Sequence, residues 1–225
     1  MKNRRSTLSI IIVVIISCSL MAYVDAIISP VYFIKSIIKI ITFLTLPFIL
    51  CRRDKSLNFN ALFKLSKKTL IHAITLGILI YTLIVGAYFA LGTFFDLSMV
   101  TTALENNMGV NKENFVFVAL YISFINSLLE EFFFRGFAFL SLKGVSNRCF
   151  AYVFSSITFA LYHIAMMTSW FEPLLFILLI VCLFMAGILF NWLNERYNNI
   201  YCSWLVHMCA NFAINTVGFI LFGII

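Results

Sequence analysis

Charge is what this sequence has least of: nine Asp and Glu and sixteen Lys and Arg stand among 225 residues, 11% of the chain. A soluble domain carries roughly a quarter of its residues as charged groups. The shortage, with 63% hydrophobic residues and a mean hydropathy of +1.03, excludes a soluble fold and leaves no stretch inside the chain for a separate soluble domain. Cysteine pairs are missing too. The six cysteines, at 18, 51, 149, 182, 202 and 209, include no C-x-x-C and lie mostly in apolar stretches, so they read as small buried residues rather than a disulfide framework or a zinc knot. There is no H-E-x-x-H motif, no internal repeat and no low-complexity tract. A zincin motif and an inverted-repeat transporter therefore lack support. The net charge of +7 gathers into no surface stripe, which argues against nucleic acid as a partner.

What remains is a succession of predominantly apolar runs, each long enough to cross a bilayer, since a spanning helix needs about 20 residues. They predict an all-α fold, a polytopic transmembrane helix bundle of about seven spans forming a single domain over 1–225. The runs are 6–24, 27–51, 69–95, one that starts after 114, 149–167, 173–193 and 200–225. A cleaved signal peptide is the competing reading of the first, and the continuation of the run past Cys18 favours a retained span. With the N-terminus inside, twelve Lys and Arg fall in cytoplasmic segments and only Lys112 in an outer one. The positive-inside rule then places the N-terminus in the cytoplasm and the C-terminus outside. The basic segment 52–68 is expected to lie on an anionic leaflet, and 96–114 is expected to be a polar outer connection. Lys35 and Lys39 share a helix face near the outer end of the second run and are expected to snorkel to the headgroups.

The chemistry is concentrated in Glu130-Glu131-Phe132-Phe133-Phe134-Arg135, inside the fourth run. Three ionisable groups in hydrocarbon mark a functional site by default. At i,i+4 on a helix, Glu131 and Arg135 can neutralise each other, which leaves Glu130 free. His163 lies in the fifth run; His207 and Asn211, again at i,i+4, share a face of the seventh. Any one of these histidines could simply bond to a neighbouring helix. Counting about 1.5 Å per residue from the helix starts puts His207 about 10 Å and Asn211 about 16 Å from the inner surface, Glu130 nearer to it and His163 deeper. A free carboxylate, two imidazoles and an amide are what peptide hydrolysis inside a membrane requires: a base for water and donors for an oxyanion.

These residues resemble a known family, the CAAX protease and bacteriocin-processing (CPBP, or Abi) intramembrane proteases, which include the type II CAAX prenyl endopeptidase. The resemblance rests on Glu-Glu-x-x-x-Arg at 130–135, Phe-x-x-x-His at 159–163 and His-x-x-x-Asn at 207–211, in the family's order on successive apolar helices. It covers a core of about 115–215, and Phe184-Met185-Ala186-Gly187 loosely matches a further small-residue feature. It implies an endopeptidase in which Glu130 is the catalytic glutamate, His163 its partner in activating water, His207 and Asn211 the oxyanion stabilisers, and Glu131 and Arg135 supporting residues. No cofactor is expected. Zinc stays open, because one Glu and two His could also ligate it.

The expected partners are the lipid bilayer and a peptide or membrane-protein substrate. Richness in Ile, Phe and Asn points to an AT-rich bacterial genome and so to a bacterial cell membrane. Bacteria generally lack protein prenylation, so peptide maturation or bacteriocin self-immunity ranks above CAAX processing. Two other classes compete: a non-enzymatic membrane regulator or adaptor that binds a partner such as a sensor kinase, and a small ion-coupled transporter that uses the buried carboxylates as a proton relay.

Overall fold

The computed structural model describes residues 3–54, 67–167 and 170–225, and every regular element among them is helical. Seven helices are long and apolar enough to cross a membrane: α1 Arg4–Ile28, α2 Tyr32–Arg53, α3 Thr69–Phe94, α5 Phe115–Val145, α6 Arg148–Met167, α7 Pro173–Tyr197 and α8 Tyr201–Leu221. Between α3 and α5 lies the shorter α4, Ser98–Met108. This corrects the reading of 96–114 as a simple connection. Asp96 accepts a hydrogen bond from the Ser98 N–H (2.9 Å), which starts α4, and Gly109 at φ 64° stops it. That helix buries Ala103 and Met108 in an otherwise polar segment, so polarity alone hid it. Most of the basic segment 52–68 lies outside the described residues.

Helix is the conformation these runs must take, because in hydrocarbon each backbone N–H and C=O has to be satisfied within its own segment. Local signals set the ends. Asn3 caps α1 through Ser6 N (3.2 Å), and Asn147 caps α6 through Cys149 N (2.8 Å). Pro173 opens α7, where its missing N–H costs nothing. Asn198, left-handed at φ 51°, closes it. Among the described residues four stretches are wound more widely, as π-helix: Val24–Ile28, Ile41–Thr45, Ile122–Asn126 and Glu131–Ser141. Such turns are rare, and they gather at functional sites.

The core is aromatic. Phe43 of α2 stacks on Phe133 of α5 with centroids 4.0 Å apart, and Phe134, Phe137, Phe139 and Phe159 are buried around them. Ile10, Val14 and Met21 complete this core from α1. α6 and α7 approach closely at Gly187, where a Cβ would come within 2.9 Å of Ser156 Cα. α3 is the outlying helix. Only 6% of its apolar window is buried, and it packs on α8 with Gly77 against Cys209. At one end of the bundle Glu195 binds Lys143 (3.3 Å), Arg148 (2.8 Å) and Tyr152 (2.6 Å), and the Asn3 N–H reaches the Val145 carbonyl (3.1 Å). At the other end Lys112 donates to the Gly223 carbonyl (2.6 Å).

Candidate functional site

Six charged side chains are buried among the described residues: Asp25, Lys35, Lys39, Glu130, Glu131 and Arg135, none with a side chain more than 7% exposed. Three are acids and three are bases, so the buried charge sums to zero. That balance is what the medium demands, because an unpaired charge in low dielectric is strongly unfavourable. Asp25 pairs with Lys35 at 2.6 Å, Lys39 with Glu130, and Arg135 with Glu131 at 3.5 Å.

Two expectations are corrected here. Lys35 and Lys39 do not snorkel: they are 6% and 5% exposed, and carboxylates within reach hold them inside. Nor is Glu130 free. Its Oε1 takes the Lys39 ammonium and the Asn126 amide (3.0 Å), and Lys39 also donates to Asn126 Oδ1 (2.6 Å). The i,i+4 pairing of Glu131 with Arg135 is present. The guanidinium lies 4.0 Å from the Phe159 ring centroid and 4.9 Å from that of Phe190, so aromatic faces surround a cation with one carboxylate beside it.

The remaining oxygen of Glu130 faces both intramembrane histidines. Oε2 is 3.9 Å from His163 Nε2 and 3.8 Å from His207 Nε2. The depths counted from helix starts do not apply, because α5 is 31 residues long and Glu130 lies at its midpoint, 15 residues from either end. α6 breaks at His163. Its N–H bonds to the Ala160 carbonyl (3.2 Å), and its ring Nδ1 stands 2.7 Å from the Phe159 carbonyl. A carbonyl can only accept, so Nδ1 carries the proton. His207 Nδ1 is likewise 2.9 Å from Glu131 Oε1, and an ionised carboxylate beside Arg135 accepts from it. In neutral rings both Nε2 atoms then present lone pairs toward Glu130 Oε2. Three acceptors converge on a gap too wide for a direct hydrogen bond. A water there could give its two hydrogens to two of them and be polarised as it did so.

Asn211 stands one turn beyond His207 and donates to the Ile122 carbonyl (3.2 Å), so one amide hydrogen is engaged in holding α8 on α5. Trp204 (to Phe124 O, 3.2 Å) and Asn215 (to Ala119 O, 3.1 Å) dock the same face of α8. These partners accept from α8 at and beside the π turn Ile122–Asn126, and that docking carries His207 to the carboxylates. Behind the site, Asn191 joins Ser155 and Ser156 of α6 (3.3 and 3.1 Å), and Asn194 binds Ser203 of α8 (2.6 Å).

Sequence reasoning passed over Asp25, Asn126, Asn191 and Asn194, and misread Lys39. For Asn126 a signal existed: it sits at i,i+4 to Glu130. For zinc the fit is poor. No group of three His, Cys, Asp or Glu side chains among the described residues is arranged to hold a metal ion, and the Glu130 carboxylate is shared with an ammonium.

In comparisons with known proteins, residues 112–213 match a family model described as type II CAAX prenyl endopeptidase Rce1-like. Neither curated proteins nor solved structures give a match.

Proposed function

Because residues 112–213 match the Rce1-like family model of type II CAAX prenyl endopeptidases, we propose that this integral membrane protein is an intramembrane endopeptidase with Glu130 as its general base. The observation that carries the reading is the convergence of Glu130 Oε2 with the Nε2 atoms of His163 and His207 inside the bundle. Water held there attacks the scissile carbonyl while Glu130 takes its proton, and His163 orients the water through Nε2. The proton on Glu130 then goes to the leaving amine. The oxyanion is met by the second amide hydrogen of Asn211 and by His207, whose ring takes up a proton from solvent before the attack, so that Nε2 is a donor while the water's own proton passes through Glu130 to the amine. Glu131 holds His207 through Nδ1, and Arg135 lies beside Glu131 as its counter-charge.

The substrate is a peptide or a membrane protein that enters from the bilayer or its surface, and the role is peptide maturation or bacteriocin self-immunity in a bacterial cell membrane. The N-terminus lies in the cytoplasm. The test is comparative peptidomics of cells carrying wild type, Glu130→Gln or His163→Ala at matched membrane levels. Peptides that form with wild type and with neither variant are expected. Identical peptide profiles, with a phenotype that survives Glu130→Gln, would overturn the protease and leave a membrane regulator.

A further inference from the structure

The buried charges of the family-matched segment do not balance on their own: Glu130, Glu131 and Arg135 sum to −1. The missing cation comes from α2, outside that segment. Lys39 spans 91 positions of sequence to reach Glu130 Oε1. It is 5% exposed, donates to Asn126 (2.6 Å), and lies 4.9 Å from the ring centroid of Tyr162, the neighbour of His163. Its own helix is held in place where Phe43, one turn on, stacks on Phe133 (4.0 Å).

A carboxylate has two equivalent oxygens and a rotatable side chain. Clamping one oxygen between an ammonium and an amide determines where the other points. Here the unclamped oxygen is the one that faces both imidazoles. Around Glu130 stand Lys35 and Lys39 from α2, His163 from α6, His207 from α8, and Glu131 and Arg135 on its own helix. Of the cations, Arg135 is committed to Glu131 and Lys35 to Asp25. Among the described Lys and Arg side chains, only Lys39 hydrogen-bonds to Glu130.

We infer that Lys39 is a positioning residue for Glu130: it holds the glutamate as an anion with one oxygen aimed at the histidines, so that the N-terminal spans complete the site. The catalytic part of this inference rests on the protease reading; the clamp does not. The test compares wild type, Lys39→Met, Lys39→Arg and Lys39→Met/Glu130→Gln, purified into lipid nanodiscs at pH 7. Infrared spectra report the C=O stretch of a protonated carboxyl. Hydrolysis of a quenched peptide spanning a cleavage site found by peptidomics reports activity.

Lys39→Met should gain a protonated-carboxyl band that wild type lacks and that the double variant loses. Its kcat should fall about 100-fold, the scale of a lost general base, with KM unchanged, while Lys39→Arg keeps the wild-type spectrum and most of kcat. Lys39→Met with no new band, or with wild-type kcat, would overturn the inference. If Lys39→Met fails to accumulate, the double variant decides, because removing both charges should restore the membrane level; a double variant as depleted as the single one would also overturn it. If the band appears as expected and wild type cleaves no peptide, the protease reading falls and the clamp stands.

Discussion

Nδ1 of His207 lies 2.9 Å from Oε1 of Glu131, the same oxygen that faces Arg135 at 3.5 Å. One carboxylate oxygen thus serves a helix–helix contact and an ion pair within a helix, and Glu131 is fully buried while doing both. Position 131 is therefore expected to matter for folding, while the chemistry is proposed for position 130.

Glu131→Gln should strip Arg135 of its counter-charge and destabilise the bundle by ~3–5 kcal/mol, the cost of breaking a buried pair from one side. The melting temperature of the protein in detergent, and its level in the membrane, measure this. Glu131→Gln/Arg135→Met, which removes both charges, should recover much of the loss. A single variant that melts with wild type would show that the pair contributes nothing.

Gly187→Ala should be destabilising by ~1–3 kcal/mol, because the added Cβ would fall 2.9 Å from Ser156 Cα and the two helix backbones have no flexible side chain to yield. Gly86→Ala is the control. A Cβ there meets nothing within 4 Å, and the change should leave stability unaltered or raise it by up to ~1 kcal/mol through helix propensity. Thermal melts of both variants decide it.

The orientation is testable with single cysteines in a cysteine-free background. Asn106 is exposed on α4; Gly144 is exposed near the Glu195 cluster and has space for a side chain. An impermeant maleimide should label Asn106→Cys in intact cells and label Gly144→Cys only after lysis. The reverse pattern would place the N-terminus outside.

Catalysis should survive metal removal. Exhaustive chelation of the purified protein is expected to leave peptide hydrolysis within about two-fold of the untreated rate, well inside the 100-fold scale of a lost acid–base group. Near-stoichiometric zinc that both His163→Ala and His207→Ala release, with activity returned to apoprotein by zinc alone, would reassign the two imidazoles as ligands.

The spans were legible because crossing a membrane is a property of a run: about 20 apolar residues with their backbone bonds closed internally form a helix whatever lies beside them. The pair Glu131 and Arg135 was legible for the same reason, since a four-residue separation brings two side chains together on any helical turn. The order of Glu130, His163, His207 and Asn211 along successive runs could also be read, though the roles assigned to them remain proposals. The π winding through Glu131–Ser141 left no mark in the residue pattern, because the same apolar residues suit either winding.

Lys39 shows the limit most clearly. Two lysines four residues apart near the end of an apolar run carry the same local pattern whether they reach out to headgroups or turn inward. The rotation of α2 about its own axis decides between them, and the stacking of Phe43 on Phe133 sets that rotation. Sequence by itself determined how many membrane-spanning runs there are, where they lie and which of them carry charge, because those follow from the local balance of apolar and polar groups against the solvent; the short α4 escaped it. Tertiary structure alone decided which charges meet: ion pairing in hydrocarbon depends on distance and the facing of helices, and residues 91 positions apart acquire both only when the bundle closes.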